Sequence, residues 1–250
     1  MLINPIEIDE NAIIKNMVAA DYRTAAVFRK FGISFCCGAN FSLKVVCEQK
    51  GLEIEEVKKD LNRSVRNISI PNTICFEEWD TGFLTEYIVN LHHNYLKAIL
   101  PDTLAMLHLF VEEHRKKFPA LLEVDKIFSY FVSRVLPHMK MEEEVIFPYI
   151  RQLAFAFKHH ESYSRLLVQT LTKPMEKAFK SEQELVQSIF LRLRGLTNDY
   201  TPPEHCCTSH RVIFQLLEEI DLDFGHHVHL ETDILFPKAI VMEAELFKRI

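Results

Sequence analysis

His138-Met139-Lys140-Met141-Glu142-Glu143-Glu144-Val145-Ile146-Phe147-Pro148 is repeated later in the chain as His227-Val228-His229-Leu230-Glu231-Thr232-Asp233-Ile234-Leu235-Phe236-Pro237. Both copies follow H-x-x-x-E-x-x-x-[IL]-F-P. A His and a Glu four residues apart stand one above the other on a helix face, so both can reach one metal cluster. Imidazole nitrogen with carboxylate oxygen suits iron or manganese, and a carboxylate can bridge two ions. A single such pair would be an ordinary contact along a helix surface. Two pairs in the same register, each closed by Phe-Pro, predict a metal centre between two helices with His138, Glu142, His227 and Glu231 as its core ligands.

The rest of the chain supplies the helices that such a centre needs. Only 6 of 250 residues are glycine, 48% are apolar, and Leu, Glu, Lys and Phe are abundant, which predicts an all-α protein. The stretch Ser64-Val65-Arg66-Asn67-Ile68-Ser69-Ile70-Pro71-Asn72 has no helical period, so the expected division is a small helical domain over 1–63, a linker over 64–74 and a four-helix bundle over 75–250. Within the small domain the clearest helices are Tyr22 to Phe31, closed by Gly32, and Glu53 to Arg63. The bundle's helices are expected from Asp80 to Phe118 with an interruption at Pro101, Leu121 to Leu153, Pro174 to Leu196, and Ser209 to about Phe247. Asn198-Asp199-Tyr200-Thr201-Pro202-Pro203 ends the third, because prolines remove donors and disfavour the α conformation before them.

If the first two long helices turn near Pro119, the residue level with Glu142 lies near Leu96. His93 is within one turn of it and shares a face with Val89, Leu96 and Leu100, so it is expected to point inward as a further ligand. His114 falls too close to the turn, unless a break at Pro101 shortens the distance. His92 faces another way and is expected to be partly exposed or to support the site. His229 cannot share the direction of His227, and His159 and His160, where the second helix ends, are expected at the surface.

The formal charge of -6 and the lack of a basic stripe beyond Arg115-Lys116-Lys117 exclude a nucleic-acid footprint. The N-terminus has acidic residues where a secretion signal would be basic, and no apolar run approaches the ~20 residues that cross a bilayer. A soluble cytoplasmic protein without a membrane partner is therefore expected. Its six cysteines, two pairs of them adjacent at Cys36-Cys37 and Cys206-Cys207, lack the spacing of a disulfide framework or a zinc site and are expected to be thiols. By themselves Cys36 and Cys37 fit either two buried inert thiols or a reactive pair.

Together with Phe35-Cys36-Cys37-Gly38 and Leu196-Thr197-Asn198-Asp199-Tyr200-Thr201-Pro202-Pro203, the H-x-x-x-E motifs resemble the iron–sulfur cluster repair di-iron proteins (the RIC family) over almost the whole chain. The bundle motifs alone would indicate only a hemerythrin-like domain. The resemblance implies two non-haem iron ions, carboxylate-bridged and in one form oxo-bridged, with His93, His138, Glu142, His227 and Glu231 as ligands and the two glutamates as bridges. It also implies a further His on the third helix, some 18 residues before Thr-Pro-Pro, where this chain has Gln183. An amide oxygen is a poorer iron ligand than imidazole. A water in the gap, substitution by Glu182 or Glu184, or a labile second iron follows. The double cysteine is the hallmark of the family's small domain, which marks Cys36 and Cys37 as its active thiols. Cys206-Cys207 falls at a family cysteine and is expected to be structural, with Cys47 and Cys75 ordinary buried or linker residues.

The activity implied is repair of iron–sulfur clusters damaged by oxidative or nitrosative stress, through iron donation to damaged iron–sulfur proteins. The alternative is a hemerythrin-like protein that binds, senses or reduces nitric oxide or oxygen, and only the reducing form would be an enzyme in the ordinary sense. A homodimer is a further expectation, since a reactive Cys-Cys domain needs a surface to meet.

Overall fold

The computed structural model describes residues 7–36, 40–65, 74–159 and 188–248. Among these residues the protein is helical and has no strand, only an isolated bridge between Ile13 and Ser42. The chain divides into two units, residues 1–72 with 200–217 and residues 73–199 with 218–250.

In the first unit four short helices, α1 (Ile14–Ala20), α2 (Thr24–Lys30), α3 (Leu43–Lys50) and α4 (Ile54–Ser64), enclose a small apolar centre. Ile14, Phe28, Leu43, Val57 and Leu61 are fully buried in it. Gly32, expected to close the second helix, does so in the left-handed region at φ 63°, where a side chain would be strained. Glu55 and Glu56 in the first turn of α4 and Arg63 in its last turn match the helix dipole. The buried carboxylate of Asp21 accepts from the Arg23 guanidinium at 2.9 Å from Nε and 2.6 Å from Nη2, and Nη2 also donates to the carbonyl of Val65. That bond ties the end of α4 back to the α1–α2 turn.

The second unit is a helical bundle. Its first long helix runs Thr81–Tyr87, a π-helical turn Ile88–His93, then Asn94–His114. Asp80 starts it by accepting from the N–H groups of Gly82 and Phe83. The interruption expected at Pro101 does not occur. Pro101 lies on the exposed face, where a helix curves around its core and a missing backbone bond is tolerated. The second long helix is Leu121–Met141, a π turn Glu142–Ile146 and Phe147–His159. The last is Thr208–His229, whose residues 208–217 belong to the first unit, then a π turn Leu230–Leu235 and Phe236–Lys248. Of the third, residues 188–197 are described. It ends at Asn198, Asp199 and Tyr200, three consecutive residues with φ of 51°, 50° and 56°. Such a left-handed turn costs on the order of 1–2 kcal/mol per non-glycine residue, and Asn and Asp bear it best.

The repeated Phe-Pro explains two of the three π turns. Pro148 and Pro237 cannot donate to the carbonyls of Glu144 and Asp233 four residues earlier, and their rings crowd those carbonyls. An inserted residue widens the turn just there. No proline accounts for the turn at Ile88–His93. Around these turns the core has two parts. On one side Leu84, Ile88, Phe147, Ile150 and Leu153 pack with Leu230, Leu235 and Ala239. On the other, Phe131 meets Phe190 and Phe224 with ring centroids 4.8 and 5.1 Å away, joining the second long helix to the third and the last.

Candidate metal centre

All three π turns carry site residues. His93 is the last residue of the first, Glu142 the first residue of the second, and Glu231 the second residue of the third. The extra residue in each turn shifts the register of the face beyond it, which is how a helix re-aims side chains toward one point. His93, Glu142, His227 and Glu231 each bring one ligand atom to within 4.8 Å of the others, and all four are buried. The Nε2 atoms of His93 and His227 stand 3.0 Å apart. Nε2 of His93 lies 3.6 Å from Glu142 and 3.7 Å from Glu231, and Nε2 of His227 lies 2.9 Å from Glu231. His138 joins through Glu142, its Nε2 3.0 Å from Oε1, and is itself partly open to solvent. The five residues expected as ligands thus lie together, four in mutual reach and His138 at the edge.

Without a cation this group can balance its charges only by taking up protons. Neither oxygen of Glu142 receives a properly directed hydrogen bond, although the side chain is fully buried. Burial, and then the neighbouring Glu231, pushes the Glu142 carboxyl up. Burial acts on Glu231 in the same sense, but His227 and His93 outweigh it and hold this carboxyl at about 2. Burial would discharge His227, yet Glu231 and Glu142 raise its basicity instead. Two buried carboxylates are sharing whatever positive charge the imidazoles can muster, and a divalent ion among the converging Nε2 and carboxylate atoms would supply what is missing. The donor set of imidazoles and carboxylates fits iron.

A carboxylate that the repeated motif does not mark completes the geometry. Glu143 faces Nδ1 of His93 at 2.8 Å and is in turn gripped by Lys97 at 2.5 and 2.6 Å. A carboxylate on Nδ1 fixes the tautomer that leaves the Nε2 lone pair free for the site. Glu143 sits in a run of three glutamates that looks like a solvated face, and its partner is 50 residues away, so only the packed structure discloses it. Replacing Glu143 by glutamine is expected to weaken metal binding roughly 10- to 100-fold, measured by competition with a chelator. An unchanged affinity would show that the Glu143 contact does not orient His93.

His92 corrects an expectation in part. It is only 2% exposed rather than partly open, with Nδ1 2.9 Å from Asp223 and its ring 5.1 Å from that of His226. It stacks beside His227 at 6.1 Å, so it supports the site from within. His229 instead pairs with Asp233 at the surface, 2.6 Å apart. His114 bonds to the carbonyl of Phe110, far down the first helix, and His159 is exposed. Gln183, Glu182, Glu184, His160 and Cys37 lie outside the described residues. Phe147 stacks on His93 at 5.5 Å and Phe224 meets His227 at 5.2 Å, so an apolar ring packs against each of these histidines. No helix among the described residues is long and apolar enough to cross a membrane.

Cys36, Cys206 and Cys207 line one cavity in the first unit. The last two were expected to be structural. Cys47 is buried in the small core, where burial pushes its thiol up, and Cys75 is exposed.

A helical bundle whose π turns gather histidines and carboxylates at a buried point is a cation-binding bundle, and residues 85–239 match the family model described as the hemerythrin HHE cation binding domain. The chain belongs to that family. Residues 10–65 match a second model, described as a domain of unknown function, DUF542. Over 92% of its length the chain is 24% identical to the iron-sulfur cluster repair protein ScdA of Staphylococcus haemolyticus, 99% of which is covered. It is 24% identical, over 86% of its length and 90% of the relative's, to a probable iron-sulfur cluster repair protein of Haemophilus influenzae. The iron-sulfur cluster repair protein YtfE of Escherichia coli O8 is 24% identical over 88% of this chain and 93% of its own.

Proposed function

We propose that this chain is a di-iron protein that repairs iron–sulfur clusters damaged by oxidative or nitrosative stress, with iron delivered to the damaged cluster as its substrate. The observation that carries this reading is the convergence of His93, Glu142, His227 and Glu231, all buried, within 4.8 Å of one another. The names of the similar proteins supply the repair activity. His93, His138 and His227 would offer Nε2, and Glu142 and Glu231 would bridge two ions. When bound, iron supplies reversible ferrous–ferric chemistry and a position for a small ligand. The chain's own part is to hold the donors: Glu143 sets the tautomer of His93, Asp223 anchors His92 beside His227, and Phe147 and Phe224 pack against the rings of His93 and His227.

Metal analysis with spectroscopy of the purified protein tests the centre, and two irons per chain are expected. Zinc, or no metal, would sink it. Adding the iron-loaded protein to an enzyme with a damaged cluster tests the repair. Recovery of that enzyme's activity is expected, whereas consumption of nitric oxide or oxygen without recovery favours a gas-binding or gas-reducing role. With glutamine at position 183, one iron is expected to be labile. Gln183→His should slow its loss to a chelator about tenfold, the scale on which ligand surroundings alter metal affinity; equal release rates refute that role for Gln183. We assign the small domain, residues 1–63, the reactive thiols Cys36 and Cys37. Replacing both by alanine is expected to abolish cluster recovery while the iron content stays the same.

A further inference from the structure

The cavity that Cys36 shares with Cys206 and Cys207 has a volume of about 390 Å³ and belongs wholly to the first unit. Three separate stretches build it, with Cys36 from the segment after α2. Lys15 comes from α1, Cys206 and Cys207 come from the segment just before the long helix Thr208–His229, and Arg211 comes from that helix's first turn. The charged side chains among the described lining residues are Lys15 and Arg211, with His205 able to join them, and none is acidic. Thr208, the first residue of a 22-residue helix, lines the cavity too, and a helix N-terminus favours negative charge.

Two kinds of ligand suit cysteines gathered in this way, and the surroundings separate them. A soft metal ion needs sulfurs that converge, but among the described residues only the His/Glu centre gathers donor atoms closely enough to hold an ion. The thiols here line a cavity together with Lys15 and Arg211, whose charges would repel an ion. Positive charge beside a helix N-terminus attracts anions instead. The cavity has room for a small peptide and carries nucleophiles and anion-binding groups on the same walls.

We propose that this cavity is a binding and reaction site for an anionic low-molecular-weight disulfide of the glutathione class, held by Lys15 and Arg211 and exchanging with the cavity's cysteines. A protein thiolate attacks one sulfur of the small disulfide, a new S–S bond forms to the protein, and the old S–S bond breaks. One small thiolate leaves and takes a proton from water, and the disulfide is the oxidant that is consumed. Metal at the His/Glu centre takes no part, so the step stands or falls separately from the iron chemistry.

The full-length protein is mixed with oxidised glutathione and, in parallel, with an uncharged small disulfide, and adducts are timed by mass spectrometry with peptide mapping. Exposed Cys75, which is followed by Glu77 and Glu78, is the internal control. With oxidised glutathione, Cys36, Cys206 or Cys207 is expected to react about tenfold faster than Cys75. That advantage should shrink with the uncharged reagent and in high salt. The Lys15→Glu, Arg211→Glu double variant should lose the preference for the anionic reagent and keep its reaction with the uncharged one. Adducts at Cys75 as fast as at the cavity, or the same preference in the charge-reversed variant, would overturn the proposal. So would a wild-type cavity that treats the two reagents alike, a readout that needs no variant.

Discussion

The Glu142→Gln variant is expected to bind its metal about a hundredfold more weakly or worse, and yet to melt at a higher temperature than the parent once both are stripped of metal. The two effects come from one cause. Glu142 is fully buried, neither of its oxygens receives a directed hydrogen bond, and Glu231 adds a second negative charge beside it. Burying that carboxyl costs stability at neutral pH whether it stays charged or takes up a proton. With a cation bound, that charge is the attraction that holds the ion. Without one, it is repulsion and lost hydration. Glutamine has nearly the same shape, so packing against the π turn is retained while the charge is removed. A gain of 1 kcal/mol raises the melting temperature by about 2–4 °C in a chain of this size. Calorimetry on metal-free and metal-loaded samples, with equilibrium dialysis for the affinity, would decide it. A stripped variant that melts lower, or binds as tightly as the parent, would mean that Glu142 is a structural residue and not a ligand.

The largest loss of stability is expected at Phe131. Its ring is wholly buried and touches Phe190 and Phe224, so it joins the second long helix to the third and the last. Phe131→Ala should cost roughly 3–5 kcal/mol, the sum of lost transfer energy and the cavity left behind, and lower the melting temperature by about 10 °C. Tyr130, next in the chain but 48% exposed, is the control; its alanine variant should change stability by about 0.5 kcal/mol or less. Metal affinity should also fall in Phe131→Ala, because Phe224 packs against both Phe131 and His227. Denaturant titration measures the first effect, and a loss below about 1 kcal/mol would show that the ring layer collapses to fill the hole.

Much of the bundle is legible from local pattern. The scarcity of glycine, the helix ends at Gly32 and Asn198, and the two His/Glu pairs all depend on residues a few positions apart, where geometry is set by the helix itself. The inward face of His93 follows from its apolar companions Leu96 and Leu100, both fully buried. Pro101 was misjudged for an equally physical reason. A proline inside a helix removes one hydrogen bond, but on an exposed face the packing of the other turns outweighs the loss. The π turns were signalled by Phe-Pro at two places, although the proline announces only a lost donor and not how the chain absorbs it.

The two H-x-x-x-E repeats therefore determined, by themselves, that histidines and carboxylates would meet between helices, because spacing by one turn is a property of the helix alone. Only the tertiary structure decided what surrounds them. Glu143 reaches His93 across 50 positions, Asp223 reaches His92 across 131, and Cys36 shares its cavity with Cys206 and Cys207. Contacts of that kind depend on which helix faces pack and where a π turn re-aims a side chain, and no periodicity along the chain encodes them.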